Sequence, residues 1–138
     1  MSNDNIVSYS SEDVEMNTAI REAKASFRQF IAALCQPTER QKGFLVKVVF
    51  GEGDTREHIW LADLDFRGGK QSGVVAVEPN LLSLRFMQRV EFELSCISDW
   101  MYVEDGYLIG GYTTQVIRER MTPEQRRAHD AHAPYKFR

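Results

Sequence analysis

The side chains best suited to chemistry in these 138 residues are His58, Asp99, Glu104 and Asp105. A general acid or base must sit within hydrogen-bond reach of the reacting proton, with its pKa set by its surroundings. His58 shares an alternating run with Trp60, which supplies a partly apolar wall, but nothing in the spacing brings the three carboxylates opposite it. Each residue also has a structural role to fill. His58 can be a cross-strand hydrogen-bonding residue and Asp105 a turn former. Asp99, between Ser98 and Trp100, is a short carboxylate suited to bonding nearby backbone N–H groups. His129 and His132 stand three apart in His129-Asp130-Ala131-His132. They could grip a metal from one helix face, but a site needs a third or fourth ligand, and Asp130 points to another face. No metal, cofactor or catalytic set is expected.

The second concentration is aromatic. Ile97 through Gly106, continued through Tyr107 to Gly110-Gly111-Tyr112-Thr113, gathers Trp100, Tyr102, Tyr107 and Tyr112 with the carboxylates Asp99, Glu104 and Asp105. Asp105-Gly106 between apolar and aromatic runs is a hairpin signal, because a two-residue turn needs the positive φ that Asp and Gly tolerate. Alternation puts Trp100, Tyr102 and Glu104 on one strand face and Met101 and Val103 on the other. If Met101 and Val103 are core, the aromatics face outward as an interaction hot spot. If a helix covers that side, the rings are core. Both readings stay open. The candidate binding surface is His58, Trp60, Asp99, Trp100, Tyr102, Glu104, Tyr107 and Tyr112.

The elements that must position these residues follow from periodicity. Ser10 or Ser11 can cap a helix with Glu12, Asp13 and Glu15 in its first turn. Met16, Ile20, Ala23, Phe27, Phe30, Ile31 and Leu34 then form one apolar stripe, which ends at Gln36-Pro37. Phe44 to Phe50 alternates as a strand, Gly51-Glu52-Gly53-Asp54 turns, and Thr55 to Asp63 returns. There Glu57, Ile59 and Leu61 oppose Arg56, His58, Trp60 and Ala62. Lys70 to Val77 is a third strand, Leu81 to Met87 an apolar connector, and Arg89 to Leu94 a fourth strand with Val90, Phe92 and Leu94 inward. The Asp105 hairpin adds two more, its return interrupted at Gly110-Gly111 and resuming through Thr113 to Ile117. Thr122-Pro123-Glu124-Gln125 opens a closing helix with a capping box, and Pro134 to Arg138 reads as a loose basic tail.

This order predicts an α+β fold. A long N-terminal amphipathic helix packs on a strongly curved, about six-stranded antiparallel sheet, approaching a partly open barrel, with a short C-terminal helix. One domain over residues 1–138 is expected, with 1–10 and 133–138 flexible. Charge is unevenly spread: residues 43–117 carry 6 basic and 11 acidic side chains, net −5, and residues 118–138 carry 6 and 3, net +3. An acidic body repels phosphate backbones, which disfavours nucleic acid and favours a basic partner. Cys35 and Cys96 lack CxxC spacing and read as reduced thiols. Met1 to Asp13 has neither a positive nor an apolar leader region, and no run reaches the ~20 apolar residues of a membrane span, so a cytoplasmic protein is expected.

Five segments carry a family resemblance: Phe44-Leu45-Val46-Lys47-Val48, Glu57 through Asp63, Glu78-Pro79, Ile97 through Gly106, and Gly110-Gly111-Tyr112-Thr113. With these, and with the helix bearing Ala23, Phe27, Phe30 and Ile31, the chain from about Met16 to Arg118 resembles the YegJ-like bacterial family, a domain of unknown function. It departs from the family at Met87-Gln88-Arg89, where a Gly-Asp pair is common. The resemblance implies a compact domain that also occurs within larger bacterial proteins, and no reaction. The leading expectation is a non-enzymatic protein-binding module, an adaptor or immunity-type protein for a basic partner. The alternative is a small-ligand-binding domain or enzyme using the His58–Trp60 strand and the Asp99–Asp105 hairpin, and a third reading is a structural domain that works as an oligomer.

Overall fold

The computed structural model describes residues 13–67, 69–81 and 83–138. The expected caps Ser10 and Ser11 lie outside them; Asp13 instead accepts the Met16 N–H at 3.1 Å and opens helix α1, Val14–Ala25. The apolar stripe runs as expected, with Met16, Ile20, Ala23 and Phe30 buried, but through two helices. Ser26 interrupts it and α2 follows at Phe27–Cys35. The Ser26 hydroxyl turns back to the Glu22 carbonyl at 2.7 Å and also meets the Tyr112 hydroxyl at 2.9 Å. Such back-bonding bends helices.

Six strands follow among the described residues: β1 Gln41–Phe50, β2 Glu57–Asp65, β3 Gln71–Val75, β4 Arg89–Phe92, β5 Ile97–Glu104 and β6 Tyr107–Gly110. They form one antiparallel, curled sheet in the order β4-β3-β2-β1-β5-β6. The fold is α+β, as the patterning predicts. Two irregularities between β1 and β5 bear on the curl. The register shifts once between Lys42 and Leu45, at Gly43, and again between Lys47 and Val48, where Ser98 is the extra residue on β5. Bulges increase local twist and re-aim side chains. The second one turns Ile97 to the same side as Trp100 and Tyr102.

One side of the sheet is the main core, under α1 and α2. Val46, Val48, Ile59, Leu61, Val75, Phe92, Ile97 and Trp100 pack there with Ala23 and Phe30. The other side holds a smaller cluster of Met101, Val103 and Leu108, with Leu45, Trp60, Tyr135 and Phe137 against it. Both strand faces of β5 are thus buried, and only Glu104 of its eight residues is partly exposed.

Three expectations need correction here. Leu94 is not inward: β4 stops at Phe92, and Leu94–Cys96 is a single tight turn that leaves Leu94 half exposed. Thr113 to Ile117 is not a strand but lies in helix α3, Tyr112–Glu119. The Gly-Gly step reverses the chain: Gly110 and Gly111 have φ of 77° and 62°, and a Cβ on Gly110 would sit 2.5 Å from the Trp100 carbonyl oxygen. Finally, the tail after α4, Pro123–His132, is docked. Lys136 pairs in parallel with Tyr107, its N–H donating to Gly106 O at 2.8 Å and its carbonyl accepting from Leu108 N at 2.9 Å. None of the helices among the described residues is long and apolar enough to cross a membrane.

Candidate functional site

The hairpin and the His58 strand do not converge on one site; the sheet separates the candidate residues into three groups. The first lies in the main core. Trp100 is 0 % and Tyr102 4 % exposed, so the outward-facing reading of these two rings fails. Trp100 Nε1 donates to the Ala23 carbonyl at 2.9 Å, and Gln29 Nε2 donates to the Tyr102 hydroxyl at 3.3 Å. The rings stack on each other at 5.9 Å, with Phe44 against Tyr102 at 5.1 Å and Tyr112 edge-on to Trp100 at 5.8 Å. Satisfied polar tips and ring contacts of this kind belong to core aromatics.

The second group is a sealed polar network on the opposite side. Trp60, Lys47 and Asp99 face one another across β2, β1 and β5 in a single row. Lys47 is the charged residue within an otherwise apolar run, and it is only 5 % exposed. Its ammonium lies 5.2 Å from the centre of the Trp60 ring and donates to Thr113 Oγ1 at 2.9 Å. Thr113 in turn donates its hydroxyl to Asp99 Oδ2. Asp99, also fully buried, spends both oxygens: Oδ1 accepts from Trp100 N at 2.8 Å and Tyr112 N at 3.1 Å, and Oδ2 from Thr113 N at 2.9 Å.

These bonds make Asp99 the cap of α3, from thirteen residues upstream. The residue in the cap position, Gly111, has no side chain to supply, and the first N–H groups of a helix need an acceptor. A carboxylate there also meets the positive end of the helix dipole. Burial pushes the Asp99 carboxyl above its ordinary range, opposed by the Thr113 bonds and the Lys47 charge. The same burial pulls the Lys47 ammonium below its own, opposed by Asp99.

His58 borders this network. Its Nδ1 is 3.0 Å from Ser98 Oγ, which itself donates to the Lys47 carbonyl at 3.4 Å. Burial, with the charges of Lys47 and Arg56, lowers the imidazole to about 4, so it is neutral near pH 7. A neutral imidazole beside a serine is the beginning of a nucleophilic pair. Ser98, however, is fully buried and lies in the bulge, where a substrate does not reach it. Two open clefts among the described residues lie away from His58 and Ser98: one of about 510 Å3 is bounded by Leu34, Cys35, Asp63, Phe66 and Arg89, and one of about 340 Å3 lies between α1 and α3 with Tyr112 in its lining.

The third group is the hairpin rim. Asp105 and Gly106 make the turn with φ of 53° and 86°, and Arg40 Nε donates to Asp105 Oδ1 at 2.8 Å, which holds that carboxyl below its usual range. Gln41 Nε2 donates to Glu104 Oε1 at 2.8 Å. Tyr107 lies under the Arg138 guanidinium, 5.0 Å from ring centre to Cζ. His129 and His132 do not face one common ligand: His129 Nδ1 sits 3.2 Å from Asp130 with its ring 5.8 Å from that of Phe137, and His132 Nδ1 sits 2.9 Å from the Ala128 carbonyl.

Lys47, Ser98 and Thr113 were not among the residues singled out by sequence. Lys47 did carry a signal, as a lone cation in Phe44-Leu45-Val46-Lys47-Val48-Val49-Phe50. A charge inside a buried run demands a partner. Thr113 carried none, because its importance depends on the chain reversing at Gly110-Gly111.

Two curated proteins are similar over most of the chain. A protein of Neisseria meningitidis serogroup B, assigned by its name to the ankyrin repeat proteins, is 36% identical over 141 residues, covering 95% of this chain and 56% of its own length. The uncharacterized protein YegJ of Escherichia coli is 28% identical over 111 residues, covering 80% of this chain and 71% of its own. The chain therefore spans little more than half the length of the Neisseria relative. No solved structure matches it. Residues 13–137, from the start of α1 to the docked tail, match the family model described as an uncharacterized protein conserved in bacteria, DUF2314, and the chain belongs to that family.

Proposed function

We propose that this domain is a non-enzymatic protein-binding module that engages a basic partner, as an adaptor or immunity-type protein does. The observation that carries it is the commitment of Asp99. The carboxylate best placed to serve chemistry has both oxygens occupied by the N-terminus of α3, in a fully buried position. Its neighbours Lys47 and Thr113 are sealed with it, which turns the polar row into scaffold. Of the candidate residues, His58, Trp60, Tyr112, Glu104 and Tyr107 stay partly exposed, and Glu104 and Tyr107 among them form the acidic, aromatic rim of the hairpin beside the exposed Asp105. With Trp100 and Tyr102 in the core, that rim replaces them as the contact surface. The name of the Neisseria relative supports the same class of function, since stacked repeats serve as extended binding surfaces.

The test is association with a purified basic partner, identified by co-purification from the native cell and then measured alone. Glu104→Lys is expected to slow association several-fold at low salt and much less at high salt, because rim charges steer encounter. His58→Gln is expected to leave binding unchanged. Turnover of a small molecule by the purified protein, lost in His58→Gln, would favour the ligand or enzyme reading instead.

A further inference from the structure

The C-terminal segment shows how an extended chain is received. After Pro134 it runs along the outer edge of β6, exchanging two backbone hydrogen bonds of 2.8 and 2.9 Å with Gly106 and Leu108. Alternate side chains take opposite roles, as in any strand added to a sheet edge. Tyr135 and Phe137 pack against the cluster of Leu45, Trp60, Met101, Val103 and Leu108, while Lys136 is exposed. Arg138 then lies over Tyr107 and lends its charge to Asp105. The receiving surface is therefore an apolar groove beside an acidic, aromatic rim, and its present occupant is Tyr135-Lys136-Phe137-Arg138.

We propose that this groove is the docking site for a partner's extended segment of aromatic–basic–aromatic–basic chemistry, and that the chain's own tail is a displaceable plug. The inference rests on the protein-binding reading and specifies its surface. The occupant follows from what the groove already holds: two rings spaced by one residue that faces solvent, with the Arg138 cation set against Asp105 and Tyr107. The plug is held by two backbone hydrogen bonds, by the packing of Tyr135 and Phe137, and by the Arg118 guanidinium 4.4 Å from the Phe137 ring centre. The helix α4 that leads into it has no buried residue, so the tail is fastened at its own few contacts alone. Once the tail leaves, the cluster beneath it is uncovered, and an apolar patch of that kind calls for another occupant. A tethered tail competes at an effective concentration on the order of millimolar, so the plug sets a threshold that only a well-matched or locally concentrated segment passes.

The probe is a fluorescein-labelled peptide of the sequence Ala133–Arg138, titrated by anisotropy into the full-length chain. The double variant Tyr135→Ala/Phe137→Ala, which vacates the groove, is expected to bind it at least tenfold more tightly than the unmodified chain. A peptide with both rings replaced by alanine is expected to bind at least tenfold more weakly. Equal binding by the two proteins, with the fold intact by circular dichroism, would overturn the proposal. If the double variant does not fold, hydrogen exchange of the unmodified chain decides. The Leu108 and Lys136 amides should exchange at least tenfold faster than that of Trp100, and equal protection would show that the tail opens only with the whole fold. A dimer formed by exchange of tails would overturn the assignment to a partner, since the occupant would be a second copy. Peptide docking without any basic protein partner would sink the functional reading and leave the groove. Partner binding unaffected by excess peptide would do the opposite.

Discussion

The two sides of the sheet between β1 and β5 are buried to a similar degree by different means. Toward α1 and α2, Val46, Val48, Trp100 and Tyr102 meet Ala23 and Phe30 as apolar and aromatic surfaces. There, hydrophobic character and volume suffice, and each polar tip needs one partner. Toward the C-terminal tail, Lys47, Asp99 and Thr113 are equally hidden, but each is acceptable only because named groups on other elements complete its bonding. The first side is specified by pattern, the second by a list of partners. Their responses to substitution should differ accordingly.

The sharpest test is at Asp99. Asp99→Ala removes the acceptor for the first N–H groups of α3 and leaves the Lys47 charge buried without its counter-charge. Breaking one half of a buried pair costs about 3–5 kcal/mol, and this one also loses a helix cap. Lys47→Met also removes one half of the pair but should cost about 1 kcal/mol less than Asp99→Ala, because the cap survives: Asp99 keeps its backbone donors at the start of α3, and the thioether chain fills the space beside Trp60. Urea unfolding of both variants checks the order. If Lys47→Met were the costlier, the cation rather than the cap would organise that side.

On the aromatic side the expected hierarchy follows volume. Tyr102→Ala empties an aromatic site among Phe44 and Trp100 and should cost about 3 kcal/mol. Tyr102→Phe loses only the long bond from Gln29 and should cost less than about 1 kcal/mol. Unfolding midpoints that fall equally for both would mean the hydroxyl carries more than packing, and the contrast between the two sides would dissolve.

That contrast also explains what the sequence made legible. Local periods identify the stripe Met16–Leu34, the alternation Phe44–Phe50 and Ile59–Leu61, and the Asp105-Gly106 turn, since each is decided by neighbours a few residues away. The capping box at Thr122 and Gln125 is local in the same sense, and it forms. The role of Asp99 is local only in part. Its bond to the Trp100 N–H is the one expected of a short carboxylate, but Tyr112 and Thr113 lie thirteen and fourteen residues on, beyond a reversal that reads as an interrupted strand. Nor did alternation settle which face of β5 was core, because both faces are buried. The tail misled for a similar reason. Tyr135 and Phe137 are too few to show a period, and their ordering comes from a groove assembled from β1, β2, β5 and β6.

The smallest expected effect lies at the border of the polar side and is read through pH. His58 titrates near 6.5 in an unfolded chain but is held down to about 4 in the folded one, first by burial and then by Lys47 and Arg56. The folded state therefore binds fewer protons in this window. Its stability is fully present above pH 6.5 and is lost as pH falls toward 4, where the unfolded state gains by protonating first. Part of the ring meets water, so the loss attributable to His58 is about 1–2 kcal/mol rather than the full value of so large a displacement. His58→Gln has no such proton to gain. The difference in stability between the unmodified chain and this variant, followed by urea unfolding at pH 7.5, 6 and 5, should shift toward the variant as pH falls. The carboxylates are the same in both proteins, so their contributions nearly cancel. A difference that stays constant would place the His58 imidazole in water, and a difference that moves the other way would give it an acidic partner in the folded state. Either result would remove His58 from the polar side and shrink the network to Lys47, Thr113 and Asp99.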